Sequence, residues 1–212
     1  MTAETRSPEA RTLRRLLWVL WALGMAALVV GVLWFRSQKA ETLVAEPPLP
    51  VLKEAPSFAL TNRDGGEVTL DTLAGRPWIA DFVFTRCPGV CPILTQRMSE
   101  LAADLPADGV RFVSFSVDPT HDTPEVLQAY AEKHGAGDNW LFLTGAEAEM
   151  YPLIREGFLL VLDPTPRVEE GQEPIVHSNR FVLVDGENRI RGYYNAFDAK
   201  ELEQLKLDLA RL

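Results

Sequence analysis

A run of twenty residues without a charge constrains this chain more than any other feature. Residues 16–35, LLWVLWALGMAALVVGVLWF, contain no charged or strongly polar side chain. As a helix rising about 1.5 Å per residue they would span roughly 30 Å, the thickness of the hydrocarbon core of a bilayer. Trp18 and Trp34 lie near the two ends, where indole rings favour the membrane interface. The sequence therefore predicts one transmembrane helix.

A cleaved signal peptide is the alternative explanation for this run. Its apolar core would be only about 7 to 15 residues long, and a small-x-small cleavage site would follow it. The sequence after Phe35 reads RSQKAETL, which contains no such site. We therefore expect the helix to be retained as an anchor.

The charges on either side of the helix predict its orientation. Residues 1–15 contain four arginines, whereas Arg36 and Lys39 follow the helix. The positive-inside bias keeps residues 1–15 in the cytoplasm as a short tail and carries the remainder across the membrane. Two glutamates in the tail argue against an acid-poor mitochondrial transit peptide. We expect the inner membrane of a bacterium, with the C-terminal part facing the periplasm.

The two sides of the membrane differ in charge. Up to Lys39 there are six basic and two acidic residues, a net +4, while the remaining 173 residues hold 15 basic and 28 acidic ones, a net −13. Non-specific nucleic-acid binding needs a basic surface, so the acidic balance argues against it. The exported part should repel anionic lipid and attract a basic partner, though only over about a Debye length.

The exported part divides into a linker and one domain. Residues 36–56 are predicted to be an extended linker, because residues 40–56 contain four prolines and no helical or alternating pattern. Residues 57–212 form one domain that is large enough to bury its own core. Within it we predict hairpins over 58–70 and 180–194, strands over 78–84, 110–117 and 140–143, and helices over 92–105, 124–134, 147–156 and 199–212.

This alternation of strands and helices, closed by a hairpin and a helix, predicts the fold class. It indicates an α/β fold with a mixed central sheet covered on both faces. A thioredoxin-like three-layer sandwich requires this order of elements. The whole chain would then be one transmembrane helix followed by a thioredoxin-like domain.

Cys87 and Cys91, the chain's two cysteines, lie between a predicted strand and a predicted helix. Backbone N–H groups and the helix dipole at such a junction favour thiolate over thiol. A separation of four residues brings both sulfurs to one side, within reach of each other or of one metal ion. C-x-x-C would indicate redox exchange, whereas the extra residue leaves room for a soft metal such as copper(I). A structural disulfide and two unrelated core cysteines are the alternatives.

Two thiolates leave the coordination of a metal incomplete, so a third ligand, an imidazole, is expected. His121, in DPTHDTP, lies on an acidic loop, and His134 lies at a predicted helix C-terminus, where a cation is favoured. We interpret both as solvated surface residues. His177, in EPIVHSNRF, precedes the last hairpin, in a segment that must cross the ligand-facing end of the sheet. The residues alone leave it open as a ligand or as an ordinary core or surface histidine.

Three segments together resemble the SCO/SenC family, the copper-delivery proteins of cytochrome c oxidase assembly. They are FVFTRCPGVCPILTQRM, SVDPTHDTPEVLQAYAEKHG and VHSNRFVLVD, in the expected order within roughly residues 50–212. The resemblance implies a membrane-tethered thioredoxin-like domain that binds one copper ion, as Cu+ or Cu2+, through Cys87, Cys91 and His177. It implies delivery to the CuA centre of the oxidase subunit that projects from the membrane. A periplasmic copper donor or thiol reductase would be a further partner.

The segment between the cysteines and His177 carries the family's middle motif. Asp118, Pro119, Asp122, Thr123 and Pro124 match it. Locally these residues indicate a strand end, a turn and a helix cap, with Thr123 as the N-cap. We assign them no ligand role.

Two positions depart from the family's pattern. Gly89 stands where many relatives have an acid, which weakens the electrostatic support for copper(II) without removing a ligand. Asp81 lies in the middle of a predicted strand, six residues before Cys87, the offset at which thioredoxins carry a buried acid that exchanges protons with the thiols. It either faces solvent or pairs with a base, or it is desolvated, has a raised pKa and relays protons in thiol–disulfide exchange.

Three functions compete on these observations. The favoured one is a copper chaperone, a binding protein rather than an enzyme. The alternative is a thiol–disulfide reductase that keeps the CuA-site cysteines reduced, which needs Cys87 and Cys91 but not His177. A peroxiredoxin-like peroxidase is disfavoured, because its chemistry calls for neither His177 nor the C-x-x-x-C spacing.

Overall fold

The computed structural model describes residues 8–41, 47–106, 108–159, 163–164 and 176–212. The chain divides into two compact units, Met1–Pro48 and Leu49–Leu212. The first contains one long helix, α1 (Pro8–Glu41). Its segment Arg14–Phe35 is 22 residues long, contains an 18-residue stretch with a mean hydropathy of 2.5, and is long and apolar enough to cross a membrane. The predicted N-terminal apolar helix is therefore confirmed, and it extends beyond the apolar run at both ends.

The second unit alternates strands and helices as the sequence predicts. Its strands are β1 (Lys53–Glu54), β2 (Ala59–Asn62), β3 (Glu67–Thr69), β4 (Trp78–Val83), β5 (Arg111–Ser116), β6 (Trp140–Thr144), β7 (Asp163–Pro164), β8 (Val176–His177), β9 (Arg180–Val184) and β10 (Arg189–Asn195). Its helices are α2 (Leu70–Leu73), α3 (Val90–Asp104), α4 (Pro124–Lys133), α5 (Glu147–Pro152) and α6 (Ala199–Leu209), and a π-helix (Leu153–Gly157) continues α5.

Eight strands form one mixed sheet in the order β1-β10-β9-β4-β5-β6-β2-β3. Strands β4, β5 and β6 are parallel, and the remaining neighbours are antiparallel. All six residues of β4 are buried, so helices or loops cover both faces of the sheet. The predicted mixed sheet is confirmed. Strands β7 and β8 pair with each other outside it.

Aromatic side chains fill the core on one face of the central strands. Phe82 of β4 lies directly beside Phe115 of β5, and their rings stack with centroids 5.4 Å apart. Phe158 packs edge-on against Phe82 at 5.1 Å. Such cross-strand aromatic pairs stabilise a sheet beyond the area they bury. Because side chains alternate along a strand, the neighbouring residues Asp81 and Ser114 face the other side of the sheet.

The boundaries of the predicted linker, residues 36–56, differ from the structure at both ends. The helix continues to Glu41, and residues 42–46 lie outside the described part. Lys53 pairs with Ile190, and Arg191 donates hydrogen bonds to the carbonyl oxygens of residues 49 and 50. The sequence gives no sign of this docking, because two paired residues are too few for an alternating pattern and the arginine is 141 residues away.

Candidate metal and redox site

The two cysteines lie where β4 ends and α3 begins, as predicted. We call the edge of the sheet where β4, β5 and β6 end the cysteine edge. Both cysteines are free thiols, and the backbone N–H of Cys91 donates to Sγ of Cys87 at 3.4 Å. Cys87 is 8% exposed, whereas Cys91 is completely buried. The pair is therefore close together and unequal in its access to solvent.

Burial dominates the chemistry of Cys91. It raises the pKa of the Cys91 thiol far above its usual value, and a backbone hydrogen bond with Phe84 opposes this only in part. The expectation that the helix N-terminus favours the thiolate is therefore wrong for Cys91, because desolvation outweighs the dipole. For Cys87 the structure shows only the amide contact described above, which gives its sulfur a hydrogen-bond donor.

Asp81 lies beneath this pair, inside the protein. Its side chain is completely buried, and neither carboxylate oxygen has a hydrogen-bond partner of good geometry in the described residues. Burial raises the pKa of Asp81 to about 7, and the hydroxyl of its strand neighbour Ser114 opposes the rise without cancelling it. The negative charge of Asp81 in turn raises the pKa values of Cys91 and Tyr130. The alternative that Asp81 faces solvent or pairs with a base is wrong, and its role as a relay stays a prediction.

A threonine and a tyrosine that the sequence did not single out hold Cys91 in place. The hydroxyl of Thr95 donates to the Cys91 carbonyl at 2.9 Å and lies 2.8 Å from the hydroxyl of Tyr130. Because a hydroxyl has one proton and that of Thr95 is already used, Tyr130 is the donor to Thr95. This link ties α4 to the first turns of α3. The two residues are 35 positions apart, so no local pattern pairs them.

The middle motif holds the loop that leads to Cys87. Asp122 is completely buried and accepts three hydrogen bonds: from Thr85 Oγ1 at 2.6 Å, from the Thr85 backbone N–H at 3.2 Å and from Ser116 Oγ at 2.7 Å. Burial raises the pKa of Asp122, and these donors oppose the rise. The carboxylate therefore fixes the chain two residues before Cys87.

Asp118 of the same motif binds the next residue of the loop. Arg86 Nε donates to Asp118 Oδ2 at 2.6 Å, which forms an ion pair directly before Cys87. Thr123 caps α4, as predicted, by accepting from the N–H of Val126 at 3.4 Å. The sequence identified the turn and the cap but not their contact with the cysteine loop. The available signal for this contact was the presence in the motif of two acids, Asp118 and Asp122, that had no ligand role.

The structure places the histidines as follows. The backbone of His177 pairs with Asp163, and β9 begins three residues later at the cysteine edge, since β9 is antiparallel to β4. The side chain of His177 lies outside the described residues, so its role as a ligand stays a prediction. His121 is exposed, as expected, whereas His134 is half-buried and burial lowers its pKa. Among the described side chains, no three His, Cys, Asp or Glu residues are arranged as a metal site.

The thiol pair fits a soft metal ion or a two-electron redox reaction. Two neighbouring sulfurs can bind copper(I), which prefers thiolate ligands, or close a disulfide. The fixed loop before Cys87 and the hydrogen-bonded turn at Cys91 both limit the reorganisation that either reaction needs. The geometry alone supports both uses.

Comparison with known proteins identifies relatives of this domain. The family model described as SCO1/SenC matches residues 49–211. The SCO1 protein homolog of Bacillus subtilis (strain 168) is 33% identical over 164 residues, which cover 76% of this chain and 83% of the relative. The residues that the family model matches include both cysteines, the middle motif and the last hairpin.

Solved structures share the same fold. BsSco, a member of the Sco family of cytochrome c oxidase assembly proteins in which a disulfide switch was identified, is 31% identical, with a TM-score of 0.65 and coverage of 78% of this chain and 98% of that one. ScoI of Bradyrhizobium japonicum, solved with copper bound, is 26% identical, with a TM-score of 0.57 and coverage of 74% and 98%. The predicted thioredoxin-like fold agrees with these structures.

Proposed function

The chain belongs to the SCO1/SenC family, and on this premise we propose that it is a membrane-anchored copper chaperone rather than an enzyme. Cys87, Cys91 and His177 bind one copper ion, Cu+ or Cu2+, and the domain delivers it to the CuA centre of cytochrome c oxidase. The free thiol pair on its fixed loop carries the proposal, because it supplies two soft ligands at one edge of the sheet. The copper-bound ScoI structure supports the choice of metal.

The membrane helix would keep the carrier beside its recipient. Four arginines before the apolar span favour a cytoplasmic N-terminus, which puts the domain in the periplasm. The recipient would be the oxidase subunit that carries CuA, and the copper or the electrons would come from a periplasmic copper donor or thiol reductase. No nucleic acid is expected as a partner of a domain with this acidic balance.

Copper loading should release protons from the site. Because burial raises the pKa of Cys91, copper(I) must displace the proton of this thiol to bind it. Affinity for copper(I) should therefore increase with pH over the range in which Cys91 remains protonated in the free protein. Over the same pH range, Cys91 of the copper-free protein would remain a thiol and resist oxidation.

A copper(I) titration of the full chain against a competing chelator tests this function. We expect one ion per chain and a large loss of affinity in Cys87→Ser, Cys91→Ser and His177→Ala. The matched control is His121→Ala, which removes an exposed histidine and should leave the affinity unchanged. If His177→Ala binds copper as tightly as this control, the three-ligand site is wrong.

A thiol–disulfide reductase acting on the CuA-site cysteines is the second candidate, and the buried Asp81 favours it. The Cys87 thiolate would attack the target disulfide, form a mixed disulfide and release one target thiol. Cys91 would then attack Cys87 sulfur, closing the Cys87–Cys91 disulfide and releasing the second thiol. Two electrons pass to the target, and Asp81 would accept the proton that Cys91 must lose before it attacks. A periplasmic thiol reductase would restore the pair.

The pH dependence of disulfide reduction tests the role of Asp81. In the wild type we expect the rate of the Cys91 step to depend on a group that titrates near pH 7, where Asp81 becomes a base. Asp81→Asn should remove this dependence and slow the step, and Asp81→Glu should restore part of it. An unchanged pH profile in Asp81→Asn would exclude the relay while leaving copper binding untouched.

A further inference from the structure

Hydrogen-bond donors converge at the opposite end of the sheet from the cysteines. We call the edge where β4, β5 and β6 begin the amino edge. Arg76 lies two residues before β4, Arg111 is the first residue of β5 and Asn139 directly precedes β6. Because the three strands are parallel and in register, these side chains line one groove of about 480 Å³. The length of the strands separates it from the cysteine edge by roughly 20 Å.

Backbone carbonyls, rather than carboxylates, hold the two guanidinium groups. Arg111 Nη1 donates to the carbonyl of Thr72 at 2.7 Å, and Arg76 Nη1 donates to that of Asp108 at 3.3 Å. Among the described residues neither arginine forms an ion pair, unlike the arginines at positions 86, 97, 180, 189 and 191. Burial and the adjacent charge of Arg76 lower the pKa of Arg111. Two like charges therefore lie side by side, and no carboxylate among the described residues forms an ion pair with either of them.

The third donor is unsatisfied. Nδ2 of Asn139 is buried and has no acceptor among the described residues. Asp138 also lines the groove, but it is exposed and forms no ion pair with either arginine. Arg63 adds a further positive charge nearby, since its Nη2 donates to the carbonyl of Gly137 at 3.0 Å. An anion would supply an acceptor for the Asn139 amide and a counter-charge for the arginines.

We propose that this groove binds a phosphate-class oxyanion through Arg76, Arg111 and the side-chain amide of Asn139. Donors that reach in from three strands suit a tetrahedral oxyanion, whereas one guanidinium fork would satisfy a planar carboxylate. The groove is a local basic site in an exported part whose net charge is −13. The phosphate is either free or part of a lipid headgroup. A headgroup bound at the amino edge would turn the cysteine edge away from the lipid surface.

Nitrogen-15 NMR of the arginine Nε–H groups tests the proposal, with the full chain in maltoside micelles, which contain no phosphate. The probes are inorganic phosphate, glycerophosphoglycerol as the diester headgroup of a common anionic lipid, and chloride at equal ionic strength. We expect phosphate, but not chloride, to shift the signals of Arg76 and Arg111 to saturation. Saturation by the diester as well assigns a headgroup, and saturation by inorganic phosphate alone assigns the free ion. Shifts no larger than those with chloride would overturn the proposal.

Matched double variants distinguish phosphate binding in this groove from a general effect of positive charge on the protein. Arg76→Gln with Arg111→Gln should weaken phosphate binding at least about tenfold, because the charged donors are lost. Arg97→Gln with Arg180→Gln removes the same charge from arginines paired with Glu100 and Glu201, and should change binding by less than about twofold. Equal weakening in both double variants would also overturn the proposal. None of these outcomes depends on copper, so a failure of the phosphate proposal would not count against the proposed copper function.

Discussion

At the residue scale, the two cysteines have unequal roles. Cys87 retains access to solvent and receives an amide hydrogen bond, whereas Cys91 is sealed in the core above Asp81. A partner's disulfide or a copper donor would therefore meet Cys87 first, and Cys91 would follow once its proton leaves. This order applies to copper transfer and to disulfide exchange alike, so the asymmetry does not itself distinguish the two functions.

The buried Asp81 should make the domain less stable as pH rises. Below about pH 4 the residue is protonated in both states, and above about pH 7 it is ionised in both. In between, the unfolded state loses the proton first, so the free energy of unfolding falls with pH. A shift from about 4 to about 7 corresponds to roughly 4 kcal/mol over this window.

Urea unfolding of Asp81→Asn and wild type at pH 4 and pH 8 measures this effect. The variant cannot ionise, so its stability relative to wild type should increase by a few kcal/mol between the two pH values. Asp198→Asn, at the half-buried N-cap of α6, is the control and should show no such increase. The same stability difference between variant and wild type at both pH values would mean that Asp81 is not a desolvated acid.

At the element scale, the turn between β5 and α4 is a clamp on the loop before Cys87. Asp122 alone satisfies three donors from Thr85 and Ser116. Asp122→Ala would leave these donors without an acceptor and should reduce the free energy of unfolding on the order of 3 kcal/mol. Asp198→Ala, which removes the cap of α6, should cost about 1 kcal/mol.

The rate of Cys87 alkylation gives a second readout that a merely destabilised fold would not produce. Under conditions where both variants are fully folded, Asp122→Ala should alkylate faster than wild type, because the loop is released. Asp198→Ala should react at the wild-type rate. If the two variants alkylate alike, the clamp does not position the cysteine loop.

The sequence predicted these elements well where the signal is local. The buried strand before Cys87, the helical stripe of Leu94, Met98 and Leu101 and the Thr123 cap are all patterns within about a dozen residues, and all are confirmed. The sequence alone could not show whether Asp81 is buried, because an acid in a strand is buried only if both faces of the sheet are covered. The link between Thr95 and Tyr130 was also missed, since it depends on how two helices pack.

At the scale of the whole molecule, the domain has two chemically different edges. The cysteine edge carries two thiols and a buried acid, and the amino edge carries two arginines that, within the described part of the chain, bind backbone carbonyls rather than carboxylates. The parallel strands β4, β5 and β6 hold these edges apart, so a reaction at one would not obstruct binding at the other. With the apolar helix as a tether, such a domain can stay at the membrane while its cysteines meet a partner.

X-ray absorption of the full chain loaded with one equivalent of copper(I) measures the proposed ligand set itself. We expect two sulfur neighbours and one imidazole nitrogen around each copper ion, with the nitrogen lost in His177→Ala and retained in His121→Ala. A spectrum with fewer than two sulfurs, or with a nitrogen that remains in His177→Ala, would contradict the proposed site of Cys87, Cys91 and His177.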